Sequence, residues 1–138
     1  MTINDVLNLI REEDIAYVDV RFTDPKGKLQ HVTLAAELVD EDFFEEGFMF
    51  DGSSIAGWKS IDQSDMKLMA DPASAYVDPF YAEKTLCVHC DVAEPDTGEP
   101  YSRDPRGTAL KAEAYLKSSG IGDVAYFGPE AEFFLFDD

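Results

Sequence analysis

The chain has 138 residues, 45% of them hydrophobic and 12% aromatic, enough apolar material to build a buried core and to argue against global disorder. Its 29 acidic residues against 11 basic ones give a formal net charge of -18, a surface that repels nucleic-acid phosphates and excludes nucleic-acid binding as a leading function. No basic leader and no run of the roughly 18 apolar residues needed to span a bilayer is present, so a soluble, cytoplasmic protein is expected.

Ile3, Val6, Leu7 and Ile10 recur at helical spacing behind Thr2, a natural N-cap, with Asp5 near the positive end of the helix dipole. From Ala16 to Thr23 the pattern changes to period two, with Val18, Val20 and Phe22 on one face and Asp19, Arg21 and Thr23 on the other. Asp24-Pro25-Lys26-Gly27 is turn chemistry, and the alternating run Lys28 to Leu34 completes a β-hairpin. Asp40 caps a short helix carrying Phe43 and Phe44, which Gly47 ends. Met49 to Trp58 lacks sustained periodicity and reads as an ordered loop. Short strands follow around Lys67–Met69, Ala75–Asp78 and Thr85–Val92.

Cys87 and Cys90 fall on opposite faces of that last strand, so they do not pair with each other, and no second ligand pair supports a metal or redox motif; a reducing compartment fits. After the polar stretch Glu94 to Pro100, Asp104 and Pro105 open a helix that stops at Gly120. Val124–Phe127 and Ala131–Phe136 then read as strand, the latter in a buried sheet.

Two polar groupings stand out. Glu130 and Glu132 are two apart, so on an extended chain both carboxylates project from one face; they are either a solvated outer face or the edge of a site for a hard divalent ion. Asp51 with Ser53 and Ser54, beside Gly52 and Trp58, is either a turn held by its own side chains or a pocket for a small cation. His31 and His89 have no carboxylate or thiol at motif spacing and read as core or surface histidines. Neither a phosphate-binding Gly-Lys loop nor a dinucleotide fingerprint occurs.

Arg21-Phe22-Thr23-Asp24, Phe50-Asp51-Gly52-Ser53-Ser54-Ile55, Asp78-Pro79-Phe80, Arg103-Asp104-Pro105-Arg106 and Gly128-Pro129-Glu130-Ala131-Glu132-Phe133-Phe134, in this order, closely resemble the N-terminal portion of bacterial type I glutamine synthetase. Ala131 departs from the proline frequent among relatives. The resemblance implies an α+β fold, with a β-grasp-like N-terminal domain over residues 1–102 and the truncated beginning of a catalytic domain over 103–138, its first helix and strand. It implies Glu132 as ligand of the metal nearer glutamate and ammonia, and Glu130 as ligand of the metal nearer the ATP phosphates, the two ions being Mg2+ or Mn2+. It further implies that Asp51, with Ser54 close by, binds ammonium and helps deprotonate it in the active site of a neighbouring subunit, and that Asp65 and Trp58 line the same region.

The implied partners are the small molecules glutamate, ammonium and ATP, with no nucleic acid or membrane, in a homo-oligomer that is dodecameric at full length. The implied reaction is ligation of ammonia to glutamate through a γ-glutamyl phosphate, with this chain alone inactive because no nucleotide-binding residue falls within it. Two other readings compete: a related ligase joining glutamate to a larger amine, and a non-catalytic β-grasp module that only binds a partner.

Overall fold

Thr2 begins the first helix by a reciprocal exchange. Its hydroxyl accepts the Asp5 amide at 3.2 Å, and the Asp5 carboxylate accepts the Thr2 amide at 2.7 Å. Two amides that a helix start would leave without partners are thereby satisfied. The helix, α1, runs Ile3–Glu12 and buries Val6. The structure, a computed structural model, describes residues 1–55, 57 and 64–137; Trp58 therefore lies outside the described residues.

The hairpin forms as its turn requires. Strands β1 (Tyr17–Thr23) and β2 (Leu29–Ala35) pair antiparallel, with Asp19 opposite Thr33 and Arg21 opposite His31. Asp24 fixes this register by accepting the amides of Lys26 and Lys28, each at 2.9 Å. Helix α2 (Glu41–Glu46) starts where Asp40 accepts the Phe43 amide at 3.0 Å and ends at Gly47, whose φ is 79°.

Four further strands follow: β3 (Phe48–Asp51), β4 (Asp65–Ala70), β5 (Tyr76–Asp78) and β6 (Thr85–Ala93). The sheet order is β2-β1-β6-β4-β3, with β5 also paired to β6. β1 and β6 run parallel, and the remaining pairs are antiparallel. One face of this mixed sheet is apolar. Val18, Val20 and Phe22 of β1, Met66 and Leu68 of β4, and Leu86, Val88 and Val92 of β6 are buried there with Val6 of α1 and Phe43 and Phe44 of α2. Each such side chain contributes about 1.5–3 kcal/mol by leaving water, so this cluster outweighs any single polar contact in the fold.

Two expectations need correction. The segment from Met49 expected to be loop begins as strand: Phe48–Asp51 pairs with β4, and Phe48 and Phe50 pack against the core. Four residues of alternation are too few to stand out from sequence. On the polar face of β1, Asp19 is only 1% exposed.

The second correction concerns the end of the chain. Asp104 and Pro105 do start a helix, α3 (Pro105–Ser119), closed by the left-handed Gly120. The strands expected at Val124–Phe127 and Ala131–Phe136 are absent, however, and Tyr126, Phe127, Phe134, Leu135 and Phe136 are each more than 80% exposed. A strand exists only through the ladder it makes with another, and no described residue pairs with this segment.

Candidate functional site

Asp51 is the last residue of β3, on the last rung of its ladder with β4, opposite Asp65. Because Phe48 and Phe50 turn toward the core, the alternation sends Asp51 outward, where it is exposed. A single 3-10 turn, Gly52–Ser54, follows. The Asp51 Oδ1 accepts the Ser53 amide at 2.9 Å and the Ser53 hydroxyl at 2.6 Å, and Oδ2 receives the Ser54 hydroxyl at 3.3 Å. The Ser53 donors hold the carboxyl below the ordinary aspartate range, with smaller help from Ser54 and Ser64 and against a slight opposing effect of burial. The turn reading of this cluster is thus realised, and it presents an exposed, ionised carboxylate.

Glu130 and Glu132 lie in the irregular segment after α3, and both are exposed. Their hard oxygen donors suit a divalent cation, but among the described residues no group of three His, Cys, Asp or Glu side chains is close enough to hold one. A groove of about 610 Å³ between α3 and the segment that follows it is lined by Leu116, Ile121, Val124 and Phe127, and holds none of Asp51, Ser54, Glu130 or Glu132.

One polar cluster escaped the sequence reading. Asp19 accepts Arg21 Nε at 2.8 Å and the Thr33 hydroxyl at 2.8 Å, and its Oδ1 is 2.7 Å from His31 Nδ1. Arg21 also donates to the Tyr76 hydroxyl at 2.6 Å and to Asp78 at 3.0 Å. Burial works to raise the Asp19 carboxyl, and the hydrogen bonds from Arg21, His31 and Thr33 outweigh it, leaving it lowered. The signal was present: the turn at Asp24–Gly27 fixes which residues of β1 and β2 face each other, and so places His31 and Thr33 beside Asp19.

The Arg103-Asp104-Pro105-Arg106 motif fastens α3 to the sheet. Asp104, 1% exposed, accepts the amides of Arg106 at 3.1 Å, Gly107 at 3.0 Å and Val92 of β6 at 3.1 Å. Arg106 forms an ion pair with Asp71 and a second with Asp91, whose Oδ1 lies 2.7 Å from Nε without an aligned hydrogen bond. Arg103 donates to the Gly57 carbonyl at 2.7 Å, beyond the Asp51 turn.

A curled mixed sheet, helices on its apolar face and a carboxylate presented at the end of an edge strand define an α+β unit of the β-grasp class. The family model described as glutamine synthetase, beta-Grasp domain, matches residues 14–95, and the one described as glutamine synthetase, catalytic domain, matches residues 102–138. The chain belongs to the glutamine synthetase family.

It is 81% identical over 134 residues to a glutamine synthetase of Cereibacter sphaeroides, covering 97% of this chain and 29% of that protein. To a glutamine synthetase of Rhodobacter capsulatus it is 77% identical over 136 residues, covering 99% of this chain and 31% of that protein. The chain thus spans less than a third of the length of these relatives. In fold it is similar to Plasmodium falciparum glutamine synthetase, with a TM-score of 0.78 at 22% identity, over 87% of this chain and 23% of that one.

Proposed function

We propose that the protein to which this chain belongs ligates ammonia to glutamate at the expense of ATP, and that residues 1–102 supply the ammonium side of its active site. The observation that carries this reading is 81% identity with a protein named glutamine synthetase across nearly the whole chain. The Asp51 turn agrees with it chemically, because an ionised, exposed carboxylate framed by serine hydroxyls suits a small cation that donates hydrogen bonds.

In this reading Asp51 draws ammonium into the site of a neighbouring subunit in a homo-oligomer, with the Ser54 hydroxyl beside it. A carboxylate below its ordinary pKa is a weak base, so attraction of the cation is its first contribution. One ammonium proton passes to Asp51, which frees the nitrogen lone pair to attack the γ-carbonyl carbon of glutamyl phosphate. The new C–N bond forms, the carbon–oxygen bond to phosphate breaks, phosphate leaves, and the nitrogen gives up a second proton to become the amide. Glu130 and Glu132 offer donors to divalent Mg2+ or Mn2+, which in the bound state would neutralise phosphate charge; further ligands must come from outside these residues. Residues 103–138 open the unit that carries them, and the setting is the cytoplasm.

The test is substrate choice by the full-length protein. With ATP and glutamate present, ammonium should be used in preference to methylamine and to polyamines. A preference for a polyamine would favour the related amine ligase instead, and no ATP-dependent ligation at all would favour a binding module.

A further inference from the structure

Backbone contacts on the far side of the Asp51 turn determine what the turn can do. The Gly52 amide donates to the Ser64 carbonyl at 2.7 Å, extending the β3–β4 ladder by one rung past Asp51. A Cβ at position 52 would stand 2.4 Å from Met66 Cγ and 3.0 Å from that carbonyl, so only glycine lets the chain lie this close to β4. With Gly52 seated there, Ser53 comes directly beneath the Asp51 carboxylate and gives both of its donors to one oxygen, Oδ1, at 2.9 and 2.6 Å. Ser54 meets the other oxygen at 3.3 Å, long for a hydroxyl–carboxylate hydrogen bond.

We propose, on the basis of the ammonium reading above, that Ser53 is a positioning residue: it occupies Oδ1, fixes the carboxylate plane and leaves Oδ2 as the oxygen that receives ammonium. The division follows from the two short Ser53 hydrogen bonds. Oδ1, which holds them, has little capacity left, whereas Oδ2, met by Ser54 at 3.3 Å, can take an ammonium N–H even with the weaker Ser64 hydroxyl also bonded to the carboxylate. The Ser54 hydroxyl, held loosely, can turn its oxygen to a second N–H of the same ion. Fixing the carboxylate in advance spares the site the loss of rotamer freedom when the ion arrives. Ser53 thus acts through Asp51 and Ser54 acts on the ligand, although the two serines are neighbours of one type.

Steady-state kinetics of the full-length protein with Ser53→Ala, Ser53→Thr, Asp51→Asn and the Ser53→Ala/Asp51→Asn pair tests this. Ser53→Ala should lower kcat/KM for ammonium about tenfold while the KM values for ATP and glutamate stay within about twofold. Ser53→Thr, which keeps both donors, should recover most of the loss. In the Asp51→Asn background Ser53→Ala should cost nothing further, because its effect passes through that carboxylate. Should Ser53→Ala fail to accumulate as folded protein, Ser53→Cys, with the same amide and a weaker side-chain donor, should fall between alanine and serine in ammonium kcat/KM.

The proposal is overturned if alanine or cysteine leaves ammonium kinetics unchanged, if all three substrates are affected alike, or if the loss persists undiminished without Asp51. If Asp51→Asn itself leaves ammonium kinetics unchanged, the ammonium reading fails and the role of Ser53 fails with it. An effect of Asp51→Asn without one of Ser53→Ala refutes the role of Ser53 alone.

Discussion

The Asp104 carboxylate accepts the Val92 amide at 3.1 Å, so the residue that caps α3 also closes a gap in the backbone hydrogen bonding of β6. Helix start and sheet are joined through one buried side chain. Asp104→Ala should remove a helix cap and leave the Val92 amide buried without an acceptor, at a combined cost of about 3 kcal/mol. Hydrogen exchange resolved by residue checks this: the Val92 amide should lose protection, together with those at the start of α3.

Asp19 gives a pH dependence whose sign can be worked out. Its folded pKa is below its unfolded one, so the stabilisation it provides is complete above about pH 4 and is lost as the pH falls through the folded value. Asp19→Asn should leave the largely buried Arg21 short of a counter-ion and cost about 3 kcal/mol at neutral pH. Urea unfolding followed by circular dichroism should show that this difference shrinks toward acid, as the wild-type carboxylate is protonated.

Much of this was legible because local chemistry determined it. Thr2, Asp40 and Asp104 begin helices where cap residues should, and the Asp24–Gly27 turn yields a hairpin in the register its residues require. What was missed depends on distant parts of the chain. The burial of Asp19 follows from β2 and from β6, some 68 residues further on, where Cys87 pairs with it in parallel register. Edge strand β3 is too short to show a period. For Ala131–Phe136 the apolar pattern is real, yet no pattern within a segment supplies the neighbour with which a strand must pair. At the candidate site the Asp51 cluster was visible as composition, whereas the inequality between Ser53 and Ser54 required coordinates.

Gly47 illustrates a constraint imposed by packing as well as by conformation. Its φ is positive, and a Cβ there would lie 2.6 Å from Met69 Sδ and 2.8 Å from the Leu68 carbonyl. Because backbone cannot yield as a side chain can, Gly47→Ala should destabilise by about 2–4 kcal/mol. A thermal melt showing no loss would contradict this placement of α2 against β4.

Both cysteines are buried, and burial pushes the Cys87 thiol up to about 11 and that of Cys90 up to about 12. At pH 8 only about one Cys87 thiol in a thousand is therefore thiolate, and fewer of Cys90. Native protein should react with a thiol reagent far more slowly than the same protein in denaturant, which should release both. Rapid native labelling of either would show that the sheet opens more readily than its core implies.

Ammonium use by the full-length protein depends, in the proposed function, on Asp51. Its most direct test is formation of labelled glutamine from isotopic ammonium by the full-length protein and its Asp51→Asn variant, at saturating ATP and glutamate. The wild type should form glutamine, and the variant should lose about 100-fold or more in kcat/KM for ammonium, the scale expected when a group that binds and deprotonates a nucleophile is removed. Undiminished kcat/KM in Asp51→Asn, or no glutamine from the wild type, would contradict it.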